Sequence, residues 1–178
     1  MLKALAIVGA VVVVLVAAVL VVAATKPATF RVARTATIKA PPEKIFALID
    51  DFQKWGTWSP YEKLDPAMQR TYGATTRGKD AVYAWDGNSK VGAGRMEIVE
   101  DSSPSKVTIK LDFARPFEAH NVAEFTLKPE GNATTVTWAM DGPFAYVAKV
   151  MSVFFDMDSM IGKEFETGLA NLKALAEA

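Results

Sequence analysis

A single histidine, His120, and the absence of cysteine limit the nucleophilic and metal chemistry open to this 178-residue chain. Ser-His-Asp and Cys-His arrangements both need an imidazole with defined partners. His120 alternates with Val122, Glu124 and Thr126 on the polar side of a predicted strand. It reads as a surface histidine, and no catalytic residue is assigned. One histidine without thiolates also leaves no recognisable ligand spacing for a metal, and no cofactor is expected. Side chains of opposite parity carry more interest. Tyr83, Trp85, Met96, Phe113, Asn121, Trp138 and Met140 fall on one apolar side of their strands. An ordinary packed core accounts for such a set. The alternative is the wall of an apolar pocket. Tyr and Trp carry a polar tip that needs a partner when buried, and Met adapts to varied shapes. Asn121 places an amide among apolar neighbours, where it needs hydrogen-bond partners; a ligand carbonyl and the neighbouring backbone compete for that role. Trp58 lies in an aromatic turn ahead of the strands and reads as a pocket lid or as a hydrophobic plug. Met157 and Ile161, on a C-terminal helical stripe, complete the candidate wall. Asp158 either faces the pocket entrance or caps and solvates its helix. Carboxylates are rarely buried unpaired, which argues for the second.

The elements that position these residues follow from local pattern. Residues 30–38 are rich in β-branched types and predict a strand. Pro41-Pro42-Glu43 opens a helix, with proline at its first turn and an acid at its positive end. The aromatic run Trp55-Gly56-Thr57-Trp58-Ser59-Pro60-Tyr61 predicts a turn leading into one more helical turn through Leu64. Alternating apolar and polar residues then predict strands at 68–73, 81–86, 94–100, 106–113, 118–128 and 133–141. Turn residues such as Asp86-Gly87-Asn88 and Pro129-Glu130-Gly131-Asn132 separate them. Short connections make the pairing antiparallel, a meander with one apolar face. Val147, Val150, Phe154, Met157, Ile161, Phe165, Leu169, Leu172 and Leu175 recur at three- and four-residue steps. They predict one long helix over 144–176 laid across that face. Gly162 and Gly168 each cost about 1 kcal/mol in a helix interior, a cost that close approach to the sheet or a kink would offset.

Residues 4–24 are uncharged and almost wholly Ala, Val, Leu and Ile, with Lys3 and Lys26 at the flanks. At ~1.5 Å per residue such a helix is roughly 31 Å long, close to the ~30 Å hydrocarbon core of a bilayer. A secretory signal core runs about 7–15 residues, so the length argues for a retained single-pass anchor over a cleaved signal. A buried core helix would need a solvent face that this stretch lacks. The expected organisation is an anchor at 1–25, a linker at 26–29 and one domain at 30–178. The chain carries 20 Lys+Arg and 20 Asp+Glu, with no basic excess to attract nucleic acid. A monomer in a bacterial inner membrane is the expected setting, with the side of the soluble domain open.

The order of these elements resembles the helix-grip fold of the START-like (SRPBCC) superfamily. That group includes the polyketide cyclase/dehydrase-like and birch-pollen-allergen-like proteins. The resemblance rests on Ile38-Lys39-Ala40-Pro41-Pro42-Glu43-Lys44-Ile45-Phe46, on Trp55-Gly56-Thr57-Trp58-Ser59-Pro60, and on the tail from Met157 to Leu172. It implies an α+β domain in which a curved antiparallel sheet of about seven strands and a long C-terminal helix enclose a cavity. It also implies a first functional expectation, binding of an apolar small molecule such as a lipid, quinone or polyketide-like compound. A cyclase or dehydratase is the second expectation, and an interaction module with a packed core the third. Fold alone does not decide among them.

Overall fold

The computed structural model describes residues 1–178 apart from the side chain of Leu2. An N-terminal helix, α1 (Leu2–Thr25), leads into strand β1 (Thr29–Ile38). Three short helices follow: α2 (Pro42–Ile49), α3 (Trp55–Trp58) and α4 (Tyr61–Leu64), with a 3-10 turn over Phe52–Lys54. The aromatic stretch thus holds more helix than its pattern predicts. Six strands come next: β2 (Gln69–Tyr72), β3 (Val82–Asp86), β4 (Ala93–Ser102), β5 (Lys106–Arg115), β6 (Ala119–Glu130) and β7 (Ala133–Pro143). The chain closes with α5 (Tyr146–Met151) and α6 (Met157–Glu177).

All neighbouring strands are antiparallel, in the order β1-β7-β6-β5-β4-β3-β2. The meander and its curvature match the α+β helix-grip expectation. Register shifts at Ala93/Gly94 and Ile98/Glu100 interrupt the β4–β5 ladder; such bulges bend and twist a strand. Pro42 and Glu43 occupy the first turn of α2 as their chemistry dictates. The indoles of Trp55 and Trp58 donate to the carbonyls of Ile49 and Leu48 at 2.8 and 2.9 Å. They satisfy acceptors that the end of α2 leaves free.

The single helix expected over 144–176 is corrected: the chain breaks between Met151 and Met157. Asp156 is the cause, since its carboxylate accepts from Ser159 N at 3.2 Å and from Ser159 Oγ at 2.6 Å and so caps α6. The apolar stripe runs through this cap without sensing it. Val147, Phe154 and Leu175 are exposed, whereas Phe165, Leu169, Leu172 and Ala176 are buried. The two helix glycines stand where α6 approaches the sheet. A Cβ on Gly168 would lie 2.7 Å from the Trp138 ring, and one on Gly162 would strike the Arg34 guanidinium. Close approach, not a kink, offsets their low helix propensity.

Helix α1 is long and apolar enough to cross a membrane or to act as a signal sequence. Its described side chains are exposed apart from half-buried Val19 and buried Ala23, one turn apart, and the helix packs on α5.

Candidate functional site

Burial of the inner face is complete at one end of the sheet, the sealed end, and loosens by a few per cent toward the other, the open end. Along β5, Val107 and Ile109 are 0% exposed, Leu111 is 9% exposed and Phe113 is half-buried. Along β7, Val136, Trp138 and Met140 run 0, 3 and 7%. Strand β6 passes from a fully buried Phe125 through Ala123 to Asn121 at 7%. The gradient has one direction in all three strands. The sealed end lies under α2, α3 and the C-terminal half of α6. The open end lies where β1 begins and β7 finishes.

The sequence-predicted wall residues divide along this gradient. Trp58 and Trp138 sit in the sealed part. Trp58 is fully buried, with its ring edge-on to Phe125 at 6.0 Å and to Trp138 at 5.6 Å. It fills the plug position. Trp138 stacks on Phe165 with centroids 4.1 Å apart and planes at 10°. Its Nε1 has no partner among the described residues. Tyr83 is also buried, and its hydroxyl donates to Glu62 Oε1 at 2.5 Å while Arg70 Nε donates to Glu62 Oε2 at 2.6 Å. Desolvation, reinforced by Glu62, pushes the Tyr83 hydroxyl well above its ordinary pKa. Its polar tip is therefore occupied.

Trp85, Met96, Phe113, Asn121 and Met140 stand toward the open end of strands β3 to β7, while Met157 and Ile161 lie on the first turns of α6, which pack by β1; of the seven, only Met157 lines the cleft at the start of β1. Trp85 packs edge-on to Phe113 at 5.6 Å and donates Nε1 to Val91 O at 3.0 Å. Register aligns Tyr83, Met96, Leu111 and Asn121 in one row across β3 to β6. Asn121 is the exceptional member. Its Oδ1 has no partner among the described residues, and its Nδ2 has only Met140 Sδ at 3.9 Å. Gly142 makes room for this amide, since a Cβ there would strike Asn121 Oδ1. Whichever way the amide turns, one of its polar atoms lacks a strong partner.

A cleft of about 400 Å³ opens beside this end, between the start of β1 and the α5–α6 connection. Phe30, Val32, Phe144, Val153, Phe154 and Met157 supply its apolar lining; Lys26, Arg31, Asp156 and Asp158 stand on its polar side. Asp158 neither caps α6 nor stands free. Its carboxylate accepts from Arg34 Nη2 at 2.8 Å, while Glu166 accepts from Arg34 Nε at 2.8 Å. The hydrogen bonds that Arg34 donates to Asp158, then to Glu166, raise its pKa further above its already high value. The guanidinium is a permanent clamp between β1 and the first turns of α6. Charge at the cleft is thus committed to structure.

His120 is exposed on the outer face. Its Nδ1 lies 2.7 Å from Asp112 Oδ1, and Glu118 approaches its Nε2 at 3.4 Å. The Asp112 hydrogen bond raises the imidazole pKa, and the same contact lowers that of Asp112. Among the described residues no group of three or more acidic or histidine side chains is arranged to hold a metal.

Sequence reasoning missed Arg34, Phe30, Leu111 and Gly142. Strand parity places Phe30 and Leu111 inside, so a signal existed for both. Arg34 has inward parity on β1, but its acceptors lie more than 120 residues away, so its strand position alone gives no sign of them.

No curated protein matches the chain in sequence. Solved structures resemble it closely in fold. The di-domain ARO/CYC BexL from the BE-7585A biosynthetic pathway aligns at TM-score 0.64 and 14% identity, over 88% of this chain and 53% of BexL. The Aha1 dimer protein from Colwellia psychrerythraea aligns at 0.59 and 14%, over 83% and 96% of the two chains. Protein CV1439 from Chromobacterium violaceum aligns at 0.59 and 14%, over 86% and 99%. At these identities the likeness establishes the fold alone. The family model for polyketide cyclase / dehydrase and lipid transport matches residues 29–177. With the seven-stranded meander gripping α6 over that same span, the chain belongs to this family, within the START-like (SRPBCC) superfamily.

Proposed function

We propose that this protein is a membrane-anchored binder of an apolar small molecule, held between the open end of the sheet and the first turns of α6. One observation carries the reading: an amide with an unanswered polar atom, Asn121, stands where an otherwise apolar inner face opens. Leaving a buried acceptor unmade costs about 1–3 kcal/mol. A ligand with an apolar body and one hydroxyl or carbonyl would answer it. Lipids, quinones and polyketide-like molecules share that chemistry. Trp85, Met96, Leu111, Phe113, Met140, Met157 and Ile161 would supply the apolar contacts, each worth about 25 cal/mol per Å² buried.

A cyclase or dehydratase step needs a proton donor or acceptor within hydrogen-bond reach of the substrate. The open end offers the Asn121 amide and an indole already bonded to Val91 O, neither an acid or base of suitable strength. The cleft carboxylates Asp156 and Asp158 are held by Ser159 and Arg34, which favours binding over catalysis.

Retention of α1 is part of the proposal. Tyr146 Oη donates to Leu20 O at 3.0 Å, Lys149 Nζ to Lys26 O at 3.0 Å, and Lys26 Nζ to Ser152 O at 3.0 Å. The first joins α1 to α5, and the other two tie Lys26, just past α1, to α5 and its C-cap; cleavage after α1 would forfeit the first.

The test uses the full chain purified in detergent, with native mass spectrometry followed by organic extraction. A discrete apolar adduct, absent from a folded Leu111→Trp variant that fills the open end, is expected. A bare mass that also takes up no long-chain fatty acid or isoprenoid quinone would overturn the proposal.

A further inference from the structure

The end of the sheet from which α1 departs carries an unusual apolar surface. Tyr146, Val147 and Met151 on α5, Phe154 and Phe155 in the α5–α6 connection, and Phe117 at the β5–β6 hairpin are all exposed. Topology places them together. The start of β1 pairs with the end of β7, and the start of β6 lies beside them, so α5 and the β5–β6 tip share one end of the domain. An apolar patch of this kind beside a polar rim marks an interaction surface.

What covers it follows from α1. Tyr146 is bonded to Leu20 O, and Leu20 precedes the helix end at Thr25 by about 7.5 Å at ~1.5 Å per residue. With α1 spanning a bilayer, that contact lies below the level at which the helix leaves the hydrocarbon. Interfacial helices sink about 5–10 Å into the headgroup–acyl boundary, so α5 lies at the depth such helices reach. Tyrosine and lysine are the residues such a boundary favours, and Tyr146, Lys149 and Lys26 occupy it.

We infer that α5 and the α5–α6 connection are an interfacial membrane-docking element that seats the domain on the bilayer with its cleft facing lipid. The inference rests on α1 being a retained span. Phe154 belongs both to the docking surface and to the cleft lining. An apolar ligand would therefore pass between bilayer and cleft without crossing water.

The chain has no native cysteine, so single thiols report position cleanly. The full chain is reconstituted into phosphatidylcholine–phosphatidylglycerol vesicles and carries a polarity-sensitive fluorophore at Val12→Cys, Val147→Cys, Phe154→Cys or Lys128→Cys. Iodide quenches from water and doxyl lipids quench from the bilayer. At positions 12, 147 and 154 we expect blue-shifted emission, quenching by doxyl lipid and loss of iodide quenching; position 128 should show the reverse. Lipid quenching at 12 with iodide quenching at 147 and 154 would overturn docking and leave the anchor intact. Absence of lipid quenching at 12 would remove the anchor, and the docking inference with it. Shielding of 147 and 154 from both quenchers, with excimers between pyrene-labelled copies, would assign the face to a second copy and overturn the inference.

Discussion

Asn121 concentrates opposing demands in one side chain. The residue is 7% exposed, yet its Oδ1 has no partner among the described residues. Replacing an unsatisfied polar group by an apolar one of similar shape is neutral or stabilising. We therefore expect Asn121→Leu to melt no lower than the wild type. The same change should weaken ligand binding roughly three- to tenfold, the worth of one neutral hydrogen bond of about 1 kcal/mol. Calorimetric melting and ligand titration of one preparation check both halves, and a lowered melting point would mark Asn121 as structural. His120 gives a second expectation. The Asp112 carboxylate raises its pKa, so the pair contributes stability below the unfolded histidine value near 6.5. That contribution is lost as pH rises through the higher folded value. NMR titration of the single imidazole should give a midpoint above 6.5, moving down in Asp112→Asn. The pair is solvent-screened, so its effect on overall stability is small. Parity identified Asn121 as the polar member of the inner face and His120 as an outer one. It could not identify Arg34 as a clamp, because a charge with inward parity gives no sign of acceptors on a helix far along the chain.

At the scale of the element, α6 shows how packing overrides propensity. Ala for Gly in a helix interior gains about 1 kcal/mol of propensity. At Gly168 the added methyl would sit 2.7 Å from Trp138 and 3.1 Å from Pro60, and overpacking costs about 1–3 kcal/mol. Packing wins, so Gly168→Ala should destabilise by about 1 kcal/mol in urea melts, whereas stabilisation would show that α6 stands off the sheet. Gly162 differs, because the atom in its way is the tip of a flexible arginine. Arg34→Ala should leave the sheet intact and loosen the first turns of α6, seen as faster amide exchange near Asp158 to Phe165 with little change near Leu172. The strands were legible because alternation and turn residues act locally. The break before α6 was not, although Asp156 and Ser159 are a recognisable cap. Apolar spacing at Val147, Val150 and Phe154 imitates a continuous stripe, and only the loss of a sheet beneath those residues distinguishes them.

Over the whole molecule, three apolar zones stand out: the exposed length of α1, the exposed patch at α5, and the inner face of the sheet. They adjoin in that order, so a retained α1 would turn the open end of the sheet toward the membrane. The anchor-like helix and the helix-grip order were both readable from sequence, since one needs only composition and the other only the succession of elements. The graded opening of the inner face was not, because it depends on how far α6 and the aromatic turn extend over the strands. If α1 is retained, the membrane-bound protein should have the intact mass of the full 178-residue chain and resist alkaline extraction; a shortened soluble form would show a cleaved signal. The central claim is that the open end of the sheet holds an apolar ligand. Photo-crosslinking tests it most directly, using the full chain in lipid nanodiscs, a diazirine-bearing long-chain fatty acid, and peptide mapping of the labelled sites. Labels on β5, β6 and β7 at Phe113, Asn121 and Met140, reduced in Leu111→Trp and competed by unlabelled ligand, are the expected result. Labels confined to α1 and α5, unchanged by that substitution, would contradict the claim.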